Sequence, residues 1–179
     1  MTFIVDGTTG LTFNDSSTQN VTALNAANIN AGTLGKARLP TGSVLQVVST
    51  STTTKTTRQS TDWGDVTNLT ASITPTSSSS KILVIAQIAS PAKNGDNTSI
   101  YMRLRRDSTT ILDVGKGWIA YDNTTGSNGM AGCPLNYLDS PATTSSTTYK
   151  VQFCTENFGT VRAQGSNTTS TIILMEIAA

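Results

Sequence analysis

The sequence predicts an all-β protein, in which a short N-terminal extended or hairpin segment is followed by an antiparallel β-sandwich of jelly-roll type. Three observations predict it: a bias toward Thr, Ser and Asn, about eight strand-like stretches separated by turn residues, and no helical periodicity. Thr is β-branched and suits a half-wet pleated surface, whereas Ser and Asn favour turns. Only 13% of residues are charged, so hydroxyl groups must supply much of the polar surface.

Length and charge restrict the possible partners. The 179 residues suffice for one ordinary domain with an extension. Twelve basic and eleven acidic side chains leave a formal charge of +1, so nucleic acid is not an expected partner. The apolar run at 81–89 is far shorter than the roughly 20 residues that span a bilayer, so we expect no membrane insertion. No secretory signal is recognisable after Met1, and we expect synthesis in a cytoplasm.

The sequence contains no His and only two cysteines. A Cys/His zinc site, a Ser-His-Asp triad and a Cys-His pair are therefore all excluded, and we expect no metal and no cofactor. Cys133 and Cys154 are interpreted as small buried apolar residues, since a reducing compartment disfavours a disulfide. Oxidation of the two thiols in a particle that leaves the cell stays open.

The N-terminal segment, residues 1–41, has too few apolar side chains for a core of its own. Its "FIV" and "LTF" stretches flank the turn signal "DGTTG" and predict a hairpin. The following "NAANINAGTLGKARLP" places Ile29, Leu34 and Leu39 five residues apart, which fits neither a helix nor a strand. The segment therefore needs a partner surface, unless it is a disordered polar tail.

Residues 42–179 are predicted to form the β-sandwich head domain. "KILVIAQIA" is apolar on both faces, as expected for a central strand, and "SIYMRLRRD" alternates inward Ile100, Met102 and Leu104 with outward Tyr101 and arginines. "DSTT" then turns into "ILDVG", which predicts a hairpin. The region 116–130 is rich in turn residues and is predicted to be a loop. The predicted strands are 43–50, 70–75, 79–90, 99–107, 111–115, 131–138, 147–156 and 169–178.

Residues 5–49, "VDGTTGLTFNDSSTQNVTALNAANINAGTLGKARLPTGSVLQVVS", resemble the N-terminal part of tail-fibre and related virion proteins of tailed bacteriophages. In that group, elements such as "LNAANINAGTL" and "ARLPTGSVLQVV" precede a β-rich tip. The resemblance covers about a quarter of the chain closely. It implies a virion component that is assembled in the host cytoplasm and held to other virion proteins by its N-terminal segment.

The resemblance also implies a homotrimer. In a trimer, Ile29, Leu34 and Leu39 can meet their counterparts at a threefold axis, so that side chains without a core in one chain are buried between chains. These three residues are therefore the predicted trimer interface.

The sequence does not predict catalysis. A glycosidase needs two carboxylates, for which Asp62 with Asp65 and Asp122 with Asp139 are the candidates. Asp62 and Asp65 flank Trp63, but an aromatic cap on the sandwich between two turn-forming Asp residues is the favoured interpretation. The chain is also short for the elongated β-helix of depolymerising spikes. We therefore predict that the protein is not an enzyme.

A surface glycan is the candidate ligand. An aromatic ring can stack on the apolar face of a sugar while Asp and Asn hydrogen bond to its hydroxyls. The alternative is that these aromatic rings are packing lids. The basic cluster "RLRRD" at 103–107 is interpreted as a solvated outer face. The candidate glycan-binding residues are Trp118, Tyr121, Asp122, Asn123, Tyr137 and Trp63.

The sequence thus predicts a trimeric tail or head fibre whose β-sandwich tip contacts the host surface. Three weak sites on one rigid tip would raise avidity through effective concentration. A capsid decoration or cement protein, or a subunit that joins tail components, is the alternative. A glycan-degrading spike is a third possibility.

Overall fold

A computed structural model describes residues 4–6, 10–12, 18–19, 39–95, 98–114, 119–122, 127–157, 159–165 and 167–179. The chain divides into two compact units, Met1–Arg38 and Leu39–Ala179. The predicted boundary after residue 41 is three residues from this division. All described secondary structure consists of β-strands, which confirms the predicted all-β class.

The first unit contains a small antiparallel sheet. Strands β1 (Ile4–Asp6) and β2 (Gly10–Thr12) pair antiparallel, with Ile4 opposite Thr12. A third strand, β3 (Thr18–Gln19), pairs with β2 and was not predicted. The trimer-interface candidates Ile29 and Leu34 lie outside the described residues.

The second unit contains thirteen of the described strands, all paired antiparallel. They are β4 (Val44–Thr52), β5 (Thr56–Arg58), β6 (Gly64–Ile73), β7 (Lys81–Ala89), β8 (Ala92–Asn94), β9 (Thr98–Arg106), β10 (Thr109–Asp113), β11 (Ile119–Asp122), β12 (Ser127–Gly129), β13 (Gly132–Asp139), β14 (Thr147–Thr155), β15 (Thr160–Gln164) and β16 (Ser170–Ile177).

These strands form three sheets. Sheet A has the order β13-β7-β16-β4, and sheet B has the order β10-β9-β14-β6 with β11 also paired to β9. Sheet C, β12-β8-β15-β5, repeats the order of sheet A strand for strand. Each of its strands adjoins its sheet A counterpart in the chain across a short break. In the break between β7 and β8, Ser90 has a left-handed φ of 52°. Sheet C therefore continues sheet A past a bend.

One hydrophobic cluster fills the second unit and takes side chains from both large sheets. Sheet A contributes the inward residues of β7, β13 and β16, sheet B those of β6, β9 and β14, and sheet C those of β15. Such a shared core is the arrangement expected of two packed sheets, because each sheet buries one face. The cluster members with no exposed surface are Leu69, Ile82, Val84, Ala86, Ile88, Ile100, Met102, Leu104, Tyr149, Val151, Val161, Ala163, Ile172 and Leu174.

Most predicted strands of the head are confirmed within a few residues, and three predictions need correction. The strand predicted at 70–75 begins at Gly64, because an irregularity around Asn68, whose φ is 60°, interrupts the alternation. The loop predicted at 116–130 contains β11 and β12, whose backbones pair with β9 and β8. Tyr101, expected to point into solvent, is only 7% exposed. The short strands β5, β8 and β15 were missed.

A buried polar link joins sheets A and B. Arg106 on β9 donates to both carboxylate oxygens of Asp139 on β13, at 2.9 Å each. The Tyr149 hydroxyl on β14 donates to the same carboxylate at 2.7 Å. Burial and this neighbouring carboxylate raise the pKa of Tyr149 far above its ordinary value, so its hydroxyl remains a donor.

The outward faces of the two large sheets differ in chemistry. On sheet B, Arg103, Arg105, Lys150, Gln152 and Asp65 lie at outward positions, and we call this side the polar face. On sheet A, a row of apolar residues crosses the four strands in register, with a second apolar pair beside it. We call this set the apolar face: Val47, Met175, Leu83, Leu138, Ile173 and Ile85.

Candidate functional site

The candidate site is a cleft of about 530 Å³ on the outward side of sheet B, a size in the range of small-ligand pockets. The residues before β6, the middle of β9, the end of β10 and the end of β14 all contribute to it. Its lining residues are Thr61, Trp63, Tyr101, Asp113, Cys154, Thr155, Glu156 and Asn157.

Trp63 is held in place by Arg103. The guanidinium carbon of Arg103 lies 4.2 Å from the centroid of the indole ring, a cation–π contact. The same guanidinium donates twice to Oε1 of Gln152, at 2.9 and 2.7 Å, so its plane is fixed. The indole therefore rests on a rigid cationic support at the cleft wall.

The support continues across the polar face. Gln152 donates through Nε2 to Asp65 at 2.6 Å, and Lys150 donates to the other oxygen of that carboxylate at 2.9 Å. Although partial burial raises the pKa of Asp65, the hydrogen bonds from Lys150 and Gln152 lower it below its ordinary value. Asp65 is thus a stable anion that orients Gln152 and, through it, Arg103.

The other end of the cleft combines an aromatic hydroxyl with a carboxylate. Tyr101 lies on β9, next to Ser99, whose hydroxyl donates to Oε2 of Glu156 at 2.9 Å. Burial and the hydrogen bond to Glu156 raise the pKa of Tyr101. Tyr101 therefore presents a neutral phenol at neutral pH.

The cleft offers no reactive thiol. Cys154 and Cys133 are both buried and unpaired, which confirms their interpretation as small buried residues. Burial is the main reason that the pKa of each thiol is raised. At neutral pH both are protonated and are weak nucleophiles.

The donor set suits a polyhydroxylated ligand. Trp63 and Tyr101 line the cleft with aromatic rings, Asp113 and Glu156 line it with carboxylates, and Asn157 and Thr61 line it with groups that both donate and accept. A sugar needs this mixture, since its ring has apolar C–H faces and a rim of hydroxyls.

Two of the predicted glycan-binding residues, Trp63 and Tyr137, have side chains that the structure describes, and of these Trp63 lines the cleft. Tyr137 lies on β13 of sheet A and is 37% exposed. Tyr121 and Asp122 belong to β11, but their side chains lie outside the described residues, as do Trp118 and Asn123 entirely.

Three of the four carboxylates considered as catalytic pairs, those of Asp62, Asp65 and Asp139, make structural contacts, and the side chain of Asp122 lies outside the described residues. The carboxylate of Asp62 lies 3.4 Å from the Ser60 hydroxyl, and its backbone carbonyl accepts from Arg58. Asp65 binds Lys150 and Gln152 on the polar face. Asp139 accepts from Arg106 and Tyr149 between the sheets.

Sequence reasoning missed Tyr101, Asp113 and Glu156. Asp113 reaches Tyr101 through the β9/β10 hairpin, whereas Glu156 is distant in the chain and is brought there by the pairing of β9 with β14. The sequence did offer one signal. Tyr101 lies on the same outward side of its strand as Arg103 and Arg105, so Tyr101 was a candidate site residue.

Within the described residues, no group of three His, Cys, Asp or Glu side chains is placed to hold a metal ion. The described part of the chain has no helix with the length and apolarity that a membrane span requires. No protein-family model matches this chain, and no curated protein shows significant sequence similarity to it.

Proposed function

We propose that this protein is a non-enzymatic, trimeric fibre of a tailed-bacteriophage virion, attached by residues 1–41, whose head domain binds a host surface glycan. The observation that carries the proposal is the cleft in which Trp63 and Tyr101 lie with two carboxylates and an amide. The resemblance of residues 5–49 to phage fibre proteins supplies the setting.

The fold that we propose for the head is a jelly-roll sandwich. Counting each sheet A strand with its sheet C continuation as one strand gives eight long strands, leaving β11 aside. Counted along the chain, the first long strand pairs with the eighth (β4 with β16) and the second with the seventh (β6 with β14). The third pairs with the sixth (β7 with β13) and the fourth with the fifth (β9 with β10). A long hairpin rolled on itself produces these pairs, which supports a jelly roll.

Binding rather than catalysis is favoured by how the acidic groups are used. Glycoside hydrolysis needs two carboxylates on either side of the bond that is cleaved. In the cleft, Glu156 accepts a hydrogen bond from Ser99 and is also hydrogen bonded to Tyr101. A fixed acceptor of this kind suits recognition of hydroxyl groups.

A glycan array of bacterial surface polysaccharides tests the binding proposal directly. Trp63→Ala should reduce saccharide binding at least about tenfold, because base or sugar stacking on one aromatic ring contributes on the order of 1–3 kcal/mol. Tyr137→Ala removes a partly exposed aromatic ring from the other sheet and is the matched control. Equal binding by Trp63→Ala and the unmodified protein would overturn the proposal.

Two further measurements separate this function from its alternatives. Gold-labelled antibody to the head should mark the distal end of a tail or head appendage on intact virions. Label spread evenly over the capsid, or visible only after disruption, would instead indicate a decorating or joining subunit. Release of reducing ends from a bound polysaccharide would indicate a glycan-degrading spike.

A further inference from the structure

The apolar face of sheet A is continuous across all four strands. Met175 pairs with Val47 on one side and with Leu83 on the other, and Leu83 pairs with Leu138. Because neighbouring strands are about 4.8 Å apart, this row spans about 14 Å. Ile173 and Ile85 form a second pair alongside it.

This face is not protected from water within the second unit. Val47 is 55% exposed and Leu138 is 49% exposed. Antiparallel sheets normally place polar residues on the side that faces water, as the polar face of this same domain does. A contiguous apolar surface of this kind indicates an interaction site.

The chemistry of the face restricts its occupant. In the rows through Val47, Ser49 and Ser51, none of the residues of the four paired strands is charged. Nucleic acids and anionic membranes are bound through cationic side chains, which these rows do not provide. An uncharged apolar surface is instead complementary to a second surface of the same kind.

The hydrogen bonds at the point where the chain enters the head domain favour the same face of another copy as this second surface. Gly42 donates its N–H to the Ala178 carbonyl at 2.8 Å, and Ala178 donates to the Ser43 carbonyl at 2.9 Å. These bonds fix the chain, as it leaves the proposed trimerisation segment, beside β4 and β16 of sheet A. In copies gathered by that segment, β4 and β16 lie at the point of chain entry, and short linkers give effective concentrations that reach millimolar values.

We propose that the apolar faces of neighbouring copies of this chain pack against one another in the trimer; the inference rests on the proposed trimeric function. Contacts around a threefold axis are heterologous, so one edge of the face meets the opposite edge in the next copy. Val47 on the edge strand β4 then contacts Leu138 on the edge strand β13 of the neighbour.

Charge substitutions at the two edges of the full-length protein test this arrangement. Val47→Asp and Leu138→Lys, made singly, should each raise the dissociation constant of the trimer about a hundredfold, because an unpaired charge is buried in the interface. The double variant V47D/L138K should recover much of the affinity. The two introduced charges lie about 14 Å apart in one chain, so recovery requires a contact between copies.

Thr70→Asp is the matched control, since Thr70 is an exposed position on the edge strand β6 of sheet B. Sedimentation equilibrium measures the oligomer, and circular dichroism verifies folding. The milder Val47→Thr should weaken association in the same direction. Retention of the trimer by both single-charge variants, or equal loss with Thr70→Asp, would overturn the proposal. Lack of recovery in the double variant would contradict the contact between Val47 and Leu138.

Saccharide binding, measured on the same samples, separates this inference from the proposed function. Single-site affinity at the Trp63 cleft should be unchanged in monomeric Val47→Asp, because the cleft lies on sheet B. If the trimer is unaffected by the substitutions but Trp63→Ala abolishes binding, the apolar-face inference is wrong and the glycan-binding proposal stands.

Discussion

The two large sheets of the head place their charged groups differently. Sheet B directs most of them outward, where Arg103 and Lys150 connect through Gln152 and Asp65 to the wall of the cleft. Sheet A turns the carboxylate of Glu176 inward, with no exposed surface, and its outward side carries the apolar face. The difference indicates that one face is built to meet water and polar ligands, and the other to be covered.

Removing the buried polar link between sheets A and B should have the largest effect on the stability of the head. Asp139→Asn removes the carboxylate that accepts from Arg106 and Tyr149. We expect a loss of about 2–4 kcal/mol in the free energy of unfolding, because a largely buried cation loses its partner. Urea denaturation measures the loss. Asp62→Asn, at an exposed carboxylate, should change the same quantity by less than about 0.5 kcal/mol; equal losses would contradict the account.

The inward carboxylate of sheet A should have the next largest effect. Glu176 accepts from Gln46 at 2.6 Å and from the Thr76 backbone and hydroxyl at 2.7 Å each. Although burial raises its pKa, the bonds from Thr76 and Gln46 lower the pKa of Glu176 below its ordinary value. Glu176→Gln should therefore cost about 1–3 kcal/mol at neutral pH.

The sign of the pH dependence follows from that lowered pKa. The folded state binds a proton less readily than the unfolded state, so the stabilisation is complete above the ordinary value of 4.5 and is lost as the pH falls through the folded pKa. The difference in unfolding free energy between the unmodified protein and Glu176→Gln should shrink below about pH 4.5. A difference that does not depend on pH would contradict the assignment.

Replacing Arg103, which supports the Trp63 ring, should have a smaller effect on stability. Arg103→Lys keeps the charge but loses the planar stack and the fork to Gln152, since lysine has no planar group. We expect about 1 kcal/mol of destabilisation together with weaker saccharide binding. Calorimetric titration and thermal unfolding measure the two quantities. Arg105→Lys is the control and should leave saccharide binding unchanged, because Arg105 donates to Thr110 and Ser108 and not to Gln152.

The smallest effect should come from the exposed pair on the polar face. Side-chain exposures of 26% for Lys150 and 47% for Asp65 leave their ion pair open to solvent. A double-mutant cycle with Lys150→Met and Asp65→Asn should give a coupling energy below about 1 kcal/mol. Molar salt should reduce that coupling further. Coupling above this value that does not depend on salt would indicate a pair more buried than the structure shows.

The inward sides of the strands could be predicted from alternation alone, as Ile100, Met102 and Leu104 illustrate. The apolar outward side of β7 was also visible in "KILVIAQIA", but one strand cannot reveal that Met175, Val47 and Leu138 fall in register with it. That alignment depends on pairing between strands distant in the sequence. The cleft was missed in part for the same reason, since Glu156 meets Tyr101 only through the pairing of β14 with the distant β9.

Thiol labelling of the assembled protein tests the contrast between the two faces most directly. Val47→Cys on sheet A and Thr70→Cys on sheet B introduce thiols at exposed positions of edge strands, while the native Cys133 and Cys154 are buried. The account predicts fast maleimide labelling of Thr70→Cys and strong protection of Val47→Cys, with protection lost on dissociation. Equal and rapid labelling of both variants in the assembled protein would contradict it.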